Sequence, residues 1–270
     1  MTHSDAFYHP DAFYHPDGDL LVATPLTRGP WHIDHQHGGP PAALLARAIE
    51  VLAPPALWHP ARFTLDFLRP VPVTRPLRAV AELTRRGKQV LGLSARLLDG
   101  DQAVATATAL CIRRLEHDLD LPAGAAPAGR PRDPESFEPF DFSFFRWDIG
   151  YHTAIEARLE SGEIGRGPAV AWMRTRQPLV AGEPTSPLQH VLIVADAING
   201  VGFVLDLARY TFINADLGVH LHRLPVDAWI RLAAVPSPQP HGVGLVDASL
   251  SDRLGPIGRA LESQVVAARI

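Results

Sequence analysis

The sequence predicts an α+β protein in which long antiparallel strands wrap central helices. Three observations carry this. Residues 186–205, SPLQHVLIVADAINGVGFVL, are apolar nearly all round, as suits a helix enclosed by something larger. Strand-like runs follow each candidate helix, four at a time. The order of elements in the first half recurs in the second.

Composition sets the bounds. A chain of 270 residues with 46% hydrophobic side chains can build one large domain or two ordinary ones. The net charge of −4 gives no basic footprint, so no nucleic-acid partner is expected. Cys111 is the single cysteine, which rules out a disulfide within the chain. No signal-like start or membrane-length apolar stretch is visible, so no membrane partner and a cytoplasmic location are expected. The histidines are scattered, with no HExxH or CxxC, and no metal or cofactor is expected.

The hexapeptide DAFYHP occurs twice, at 5–10 and 11–16, and the first copy is left out of the fold. Residues 19–25 suit a short strand. Gly38, Gly39 and Pro40 then mark a helix start. Leu45, Ala48, Ile49 and Leu52 form its apolar stripe, with Arg47 and Glu50 facing elsewhere. Four strand-like runs follow: 62–68, 77–84, 90–98 and 103–113. Asp99-Gly100 is a hairpin signal between the last two.

Residues 117–145 are dense in proline, glycine and alanine, which disfavour helix and strand alike. They read as a surface linker between residues 1–116 and residues 146–270. In the second half, 153–159 and 169–176 suit strands. The helix at 186–205 follows, with Ser186 as N-cap, Pro187 in the first turn and Gln189 completing a capping box. Four runs close the chain: 210–222, 228–235, 243–250 and 257–268. SARLLDGDQAVATATALCI resembles DASLSDRLGPIGRALESQVV, with Asp99 and Asp252 in matching turns.

The segments HGGPPAALLARA, ADAINGVG, FINADLGVHLHRLP and DRLGPIGRALES together resemble the acyl-CoA thioesterase II type of double-hotdog protein, in its thioesterase-like branch. The resemblance runs from about Phe13 to Val266. It implies two hotdog modules side by side, and hydrolysis of an acyl-CoA or similar thioester without metal or covalent intermediate. It also implies an aspartate, a hydroxyl residue and a glutamine that together hold the attacking water. Those positions fall on Asp196, Asn214 and Glu262, and a one-residue shift brings Gln264 closer. Only the aspartate matches by identity.

The chemistry can be argued from the residues alone. Hydrolysis needs a held water, a proton acceptor and donors to the developing oxyanion. Asp196 is the lone carboxylate of an apolar stretch, costly there unless paired or used. Local pairing with Asn199 is the alternative. The run at 210–222 alternates, with Ile213, Ala215, Leu217, Val219 and Leu221 on one face and Asn214, Asp216, Gly218, His220 and His222 on the other. Glu262 and Gln264 share a strand face. If Glu262 stands beside Asp196, like charge raises one pKa of the pair, and activity is expected to rise towards mildly acid pH. His37, Gly38 and Gly39 are candidate substrate-binding residues, because a helix start offers free N–H groups to an oxyanion or phosphate. Close packing of the helix start on the sheet is the other reading of the glycines.

Two further functions remain at this point. An enoyl-thioester hydratase would carry a D-x-N-x-x-H pattern, which is absent. A non-catalytic thioester binder fits the departures at Asn214 and Glu262. Association of hotdog modules side by side makes a homo-oligomer possible.

Overall fold

The computed structural model describes residues 11–120, 122 and 130–269. The first DAFYHP copy and the centre of the linker, residues 121 and 123–129, lie outside them.

The second DAFYHP copy opens the fold. It supplies β1 (Tyr14–Asp17), which turns at Gly18 into β2 (Leu20–Ala23). Helix α1 (Gly39–Leu52) comes next, then β3 (Trp58–Phe67), β4 (Leu77–Arg86), β5 (Val90–Asp99) and β6 (Gln102–Arg113). The second half holds a short α2 (Tyr151–Ala154), β7 (Ile155–Ser161) and β8 (Ala169–Thr175). Helices α3 (Pro187–Ala195) and α4 (Ile198–Val201) follow. The chain ends in β9 (Tyr210–Asn214), β10 (Asp216–Leu221), β11 (Ile230–Pro238), β12 (Val243–Asp252) and β13 (Gly255–Ala268). This is an α+β architecture.

All the strands join one antiparallel sheet, in the order β1-β2-β4-β5-β6-β3-β10-β13-β12-β11-β8-β7, with β9 also pairing with β13. The halves meet at β3 and β10, where Leu65 faces Leu217 and Phe63 faces Val219. They meet again near the N-terminus. There Tyr14 bridges to Val180, and the Ala181 N–H donates to the Tyr14 carbonyl at 2.9 Å.

Helices α1, α3 and α4 pack against the strands of the sheet. Leu44, Leu45 and Ile49 of α1 are buried, and α1 packs on β4, β5 and α3. The residues of α1 that the sequence leaves facing away in fact tie it to the second half. Arg47 pairs with Glu183 at 2.6 Å. The Glu50 carboxylate accepts from the Ser186 hydroxyl and from the Gln189 amide, both at 2.7 Å. Ser186 in turn caps α3 and closes the expected capping box with Gln189. That fixes where α3 starts, and hence where Asp196 ends up.

Three elements differ from the sequence reading. The helix at 186–205 is two pieces, with Asp196 as the C-cap of α3 rather than a mid-helix residue. The Ala197 N–H reaches back three residues to Val194, a tightening of the last turn. Asp196, Asn199, Gly200 and Gly202 are all weak helix formers, so little holds the helix straight there. A Cβ on Gly202 would lie 2.9 Å from the Ala234 Cβ, so glycine lets this turn seat against β11.

The run at 210–222 is also two pieces. Asn214 pairs with Gln264, but Gly218 pairs with Leu261, so β9–β10 spends one residue more than β13. This bulge at Ala215 and Asp216 flips the alternation. Phe212 is buried before it, and Leu217, Val219 and Leu221 are buried after it. Asn214 therefore shares the inward face with Leu217, not the outward face with His220.

Finally, the end of the linker is not a surface crossing. Phe142 is 5% exposed, and the Phe140 N–H donates to the Ala157 carbonyl at 3.0 Å. The five phenylalanines between 137 and 145 give this part of the segment an apolar face that its prolines conceal.

Candidate active site

The break after α3 opens onto a cavity of about 460 Å³, within the range usual for small-molecule sites. Its wall is largely apolar and includes Trp31, Phe67, Phe142, Phe144, Phe145 and Phe212. Two of its polar residues, His37 and Asn214, meet at Asp196, which is 2% exposed.

Both oxygens of Asp196 are held. Asn214 Nδ2 donates to Oδ1 at 2.5 Å, and His37 Nδ1 stands 2.9 Å from Oδ2. The inward turn of Asn214 comes from the bulge, and the place of His37 from the loop before α1. Local pairing of Asp196 with Asn199 is not made.

Gly38 lines the cavity directly over this carboxylate. A Cβ there would lie 2.6 and 2.8 Å from the two Asp196 oxygens and 2.3 Å from Phe67. Only glycine leaves room for the pair. Gly39 does something else. A Cβ there would fall 2.2 Å from the Ile193 carbonyl oxygen, so Gly39 lets α1 start against α3. Close packing is thus correct for Gly39, but against a helix rather than the sheet. Gly39 is not part of the cavity wall.

Glu262 and Gln264 face inward from β13, as the alternation predicts, and both are buried. Neither lines the cavity. Glu262 is fully enclosed, and neither of its oxygens has a hydrogen-bonding partner among the described residues. Burial pushes its pKa well above the ordinary carboxylate value, and the charges of Asp196 and Asp216 add to the rise. The Asn199 backbone opposes this weakly. Glu262 thus holds its proton above the ordinary carboxylate range, and it stands outside the cavity wall rather than in it. Gln264 instead stands across the strands from Asn214.

Tyr151 belongs to the site without any mark in the sequence that singles it out. Its ring stacks on His37 with centroids 3.7 Å apart and planes within 2°. Its hydroxyl donates to the Ile193 carbonyl at 2.8 Å, and burial raises its pKa well above 10. The aromatic wall from 142–145 is a second feature that the sequence reading misses. The run DFSFFRW is the available signal, since so many aromatics are out of place on an exposed linker. Among the described residues no group of His, Cys, Asp and Glu is arranged to hold a metal ion. No helix among them is long and apolar enough to cross a membrane.

Comparison with known proteins bears on the fold and the family. A protein from Thermobifida fusca YX assigned as a thioesterase II is 16% identical over 93% of each chain, with a TM-score of 0.67. An acyl-CoA thioesterase II from Mycobacterium marinum is 16% identical over 94% of this chain and 92% of its own, with a TM-score of 0.63. A hot dog fold protein from Alicyclobacillus acidocaldarius is 17% identical over 96% and 97%, with a TM-score of 0.67. These likenesses establish a shared hotdog-type fold. No curated protein matches the chain. Residues 27–112 match the model of the acyl-CoA thioesterase N-terminal domain, and residues 124–266 match that of the C-terminal domain. With both matches in order over most of its length, the chain belongs to the acyl-CoA thioesterase family, a membership that implies thioester hydrolysis.

Proposed function

We propose that the protein hydrolyses an acyl-CoA, or a similar acyl thioester, with a directly activated water held at Asp196. The observation that carries this is a buried carboxylate, held through both oxygens, at the polar end of an otherwise apolar cavity. The aromatic walls take the acyl group. Asn214 fixes one oxygen of Asp196 and so stands in for the hydroxyl residue of the family pattern. Neutral Glu262 takes the place of the glutamine, close to it in shape and lacking charge. Gln264 supports Asn214 from the neighbouring strand. Gly38 offers its backbone N–H to the developing oxyanion, at the start of a helix whose next two residues after Gly39 are prolines without N–H groups. No metal and no covalent enzyme intermediate take part.

The architecture we infer is a double hotdog. Residues up to 116 form one module round α1, and residues from 146 form the other round α3 and α4. The repeated helix-and-strand order and the shared sheet support this, and superposing the two halves tests it.

Release of free thiol from a panel of acyl-CoAs tests the activity. Asp196→Ala should abolish turnover, a loss of about 10²-fold or more, and leave the thermal unfolding cooperative. The second reading, a thioester binder without turnover, is favoured by the missing hydroxyl at Asn214. Tight acyl-CoA binding without thiol release would establish it.

A further inference from the structure

His37 holds a position that the hydrolase reading leaves unused, and that reading also leaves the proton of the attacking water without a destination. The imidazole is fixed on two sides. Its Nδ1 stands 2.9 Å from Asp196 Oδ2, and its face lies flat on Tyr151. Tyr151 is itself pinned through its hydroxyl to the Ile193 carbonyl. The ring can therefore neither swing nor tilt without breaking a buried contact.

The contacts set the tautomer. The Gly39 N–H also approaches Nδ1, at 3.3 Å. One nitrogen cannot donate to Asp196 and accept from Gly39 at the same time. A lone pair on Nδ1 would face the Asp196 carboxylate at 2.9 Å, the nearer and charged neighbour, so Nδ1 is assigned the hydrogen. That leaves the lone pair on Nε2. Nε2 has no hydrogen-bonding partner among the described residues, and His37 lines the cavity. Asp196 Oδ1, by contrast, already accepts from Asn214, and Oδ2 stands against His37 Nδ1.

We propose, on the basis of the hydrolase reading, that His37 Nε2 is the general base and that Asp196 acts through it as a positioning residue. The water oxygen forms a bond to the thioester carbonyl carbon while one of its protons passes to Nε2. The carbonyl π pair moves onto its oxygen, which meets the Gly38 N–H. The tetrahedral species then reforms the C=O bond and breaks the C–S bond. The thiolate leaves with the electron pair and takes the proton from Nε2. One acid and one thiol are released, and His37 is neutral again. The imidazole–carboxylate couple orients and stabilises the transient imidazolium, as such couples do elsewhere.

The titratable and charged groups that line the cavity with His37 are Asp196 at the end of α3, Tyr151 in α2, Arg69 after β3 and His35; Glu262 on β13 interacts with Asp196 and Tyr151 from outside the cavity wall. Among them only the two imidazoles have an ordinary value between about pH 5 and 8. Two variants separate those two. Asn at position 37 can present its Nδ2 to Asp196 but has nothing at the Nε2 position.

The test is the pH dependence of kcat/KM for the parent, His37→Asn, His35→Asn and Asp196→Ala with the preferred acyl-CoA. The parent and His35→Asn should lose rate together on the acid side. His37→Asn should lose about 10²- to 10⁴-fold in kcat with little change in KM, and its acid limb should be gone. Nitrogen-resolved NMR of the parent should show His37 as the Nδ1–H tautomer, a readout that does not depend on any variant folding. If Asp196→Ala is dead while His37→Asn keeps its rate and acid limb, the base assignment falls and the hydrolase reading stands. An Nε2–H tautomer overturns the assignment equally. A parent that hydrolyses no acyl thioester overturns both.

Discussion

The Asp216 carboxylate accepts the Ser263 backbone N–H at 2.6 Å. One residue earlier, the Ala215 N–H donates to the Ser263 carbonyl at 2.8 Å. A side chain thus occupies the place of a ladder acceptor, and the extra residue of the bulge is held rather than left loose. Asn214 turns inward towards Asp196 because of it.

Removing that carboxylate should therefore disturb the site more than the fold. The bond lies on the outer face of the sheet, where water can replace it, so Asp216→Ala should cost only about 0.5–1.5 kcal/mol in urea unfolding. Turnover should fall by about tenfold or more, as Asn214 loses its fixed orientation. Asp216→Asn keeps an acceptor and should recover most of the rate. An Asp216→Ala protein with full turnover would show that the bulge stands without this bond.

The fold class, the two helix positions and most of the strands are legible because burial imposes periodicity on sequence. Asp196 is legible as a carboxylate that an apolar stretch cannot otherwise hold. The break at Asp196 is not, since Ser186 to Ala195 carries every mark of a helix and the weak formers after it only permit a break. The bulge at Ala215 is invisible for a related reason. Alternation assumes an unbroken register, and one extra residue reverses every assignment after it. His37 reads from sequence as a ligand contact because its partner lies 159 positions away, and no local pattern reports a contact of that separation. The aromatic wall is hidden by the prolines around it.

The two adjacent glycines should separate chemistry from packing. A methyl group at Gly38 meets the Asp196 oxygens and the far end of the Phe67 ring, which can shift. Gly38→Ala should stay folded and lose about 10²-fold or more in turnover. A methyl group at Gly39 meets the Ile193 backbone, which cannot shift without moving α3. Gly39→Ala should lose about 1–3 kcal/mol of stability. Thermal unfolding and thiol release, measured on both variants, check the contrast. Equal effects of the two on stability would contradict it.

Asp252 should matter to the fold alone. It is 0% exposed, and Arg223 grips both its oxygens at 2.6 Å. The Val226 and Leu254 N–H groups donate to it as well. Burial works to raise its pKa, but the Arg223 hydrogen bonds and these backbone donors outweigh it, and the net shift is downward. The native carboxylate thus holds its proton less tightly than in the unfolded chain. Its contribution to stability is present above the unfolded value of 3.8 and is lost as pH falls through the native pKa. Asp252→Ala strands Arg223 and two N–H groups and should cost about 3–5 kcal/mol, read from urea midpoints. A cost near zero would mean that solvent reaches this turn.

Glu262 gives the last prediction, and its sign is the reverse. Weighing the carboxylate pair alone puts its proton uptake on the mildly acid side, with activity rising there. Full burial changes that expectation: it is the largest cause of a pKa raised well above 4.5, ahead of Asp196 and Asp216. With burial holding the proton above the ordinary carboxylate range, the expected outcome is no acid-side rise in activity from this group. Above about pH 4.5 the native side chain keeps a proton that the unfolded chain releases. Stability from this group is therefore full below the unfolded value, declines as pH rises above it, and is lost once pH passes the raised native pKa. Glu262→Gln replaces the neutral acid with a neutral amide of the same shape and carries no such penalty. The variant should be more stable than the parent at neutral pH, and its unfolding midpoint should vary less with pH. Turnover at neutral pH should stay close to the parent's, because the charge near Asp196 does not change. Denaturation midpoints of both proteins at about pH 5 and about pH 8 decide the matter. If the two midpoints shift in parallel, Glu262 is ionised in the folded protein, and the neutral-acid account of the site fails.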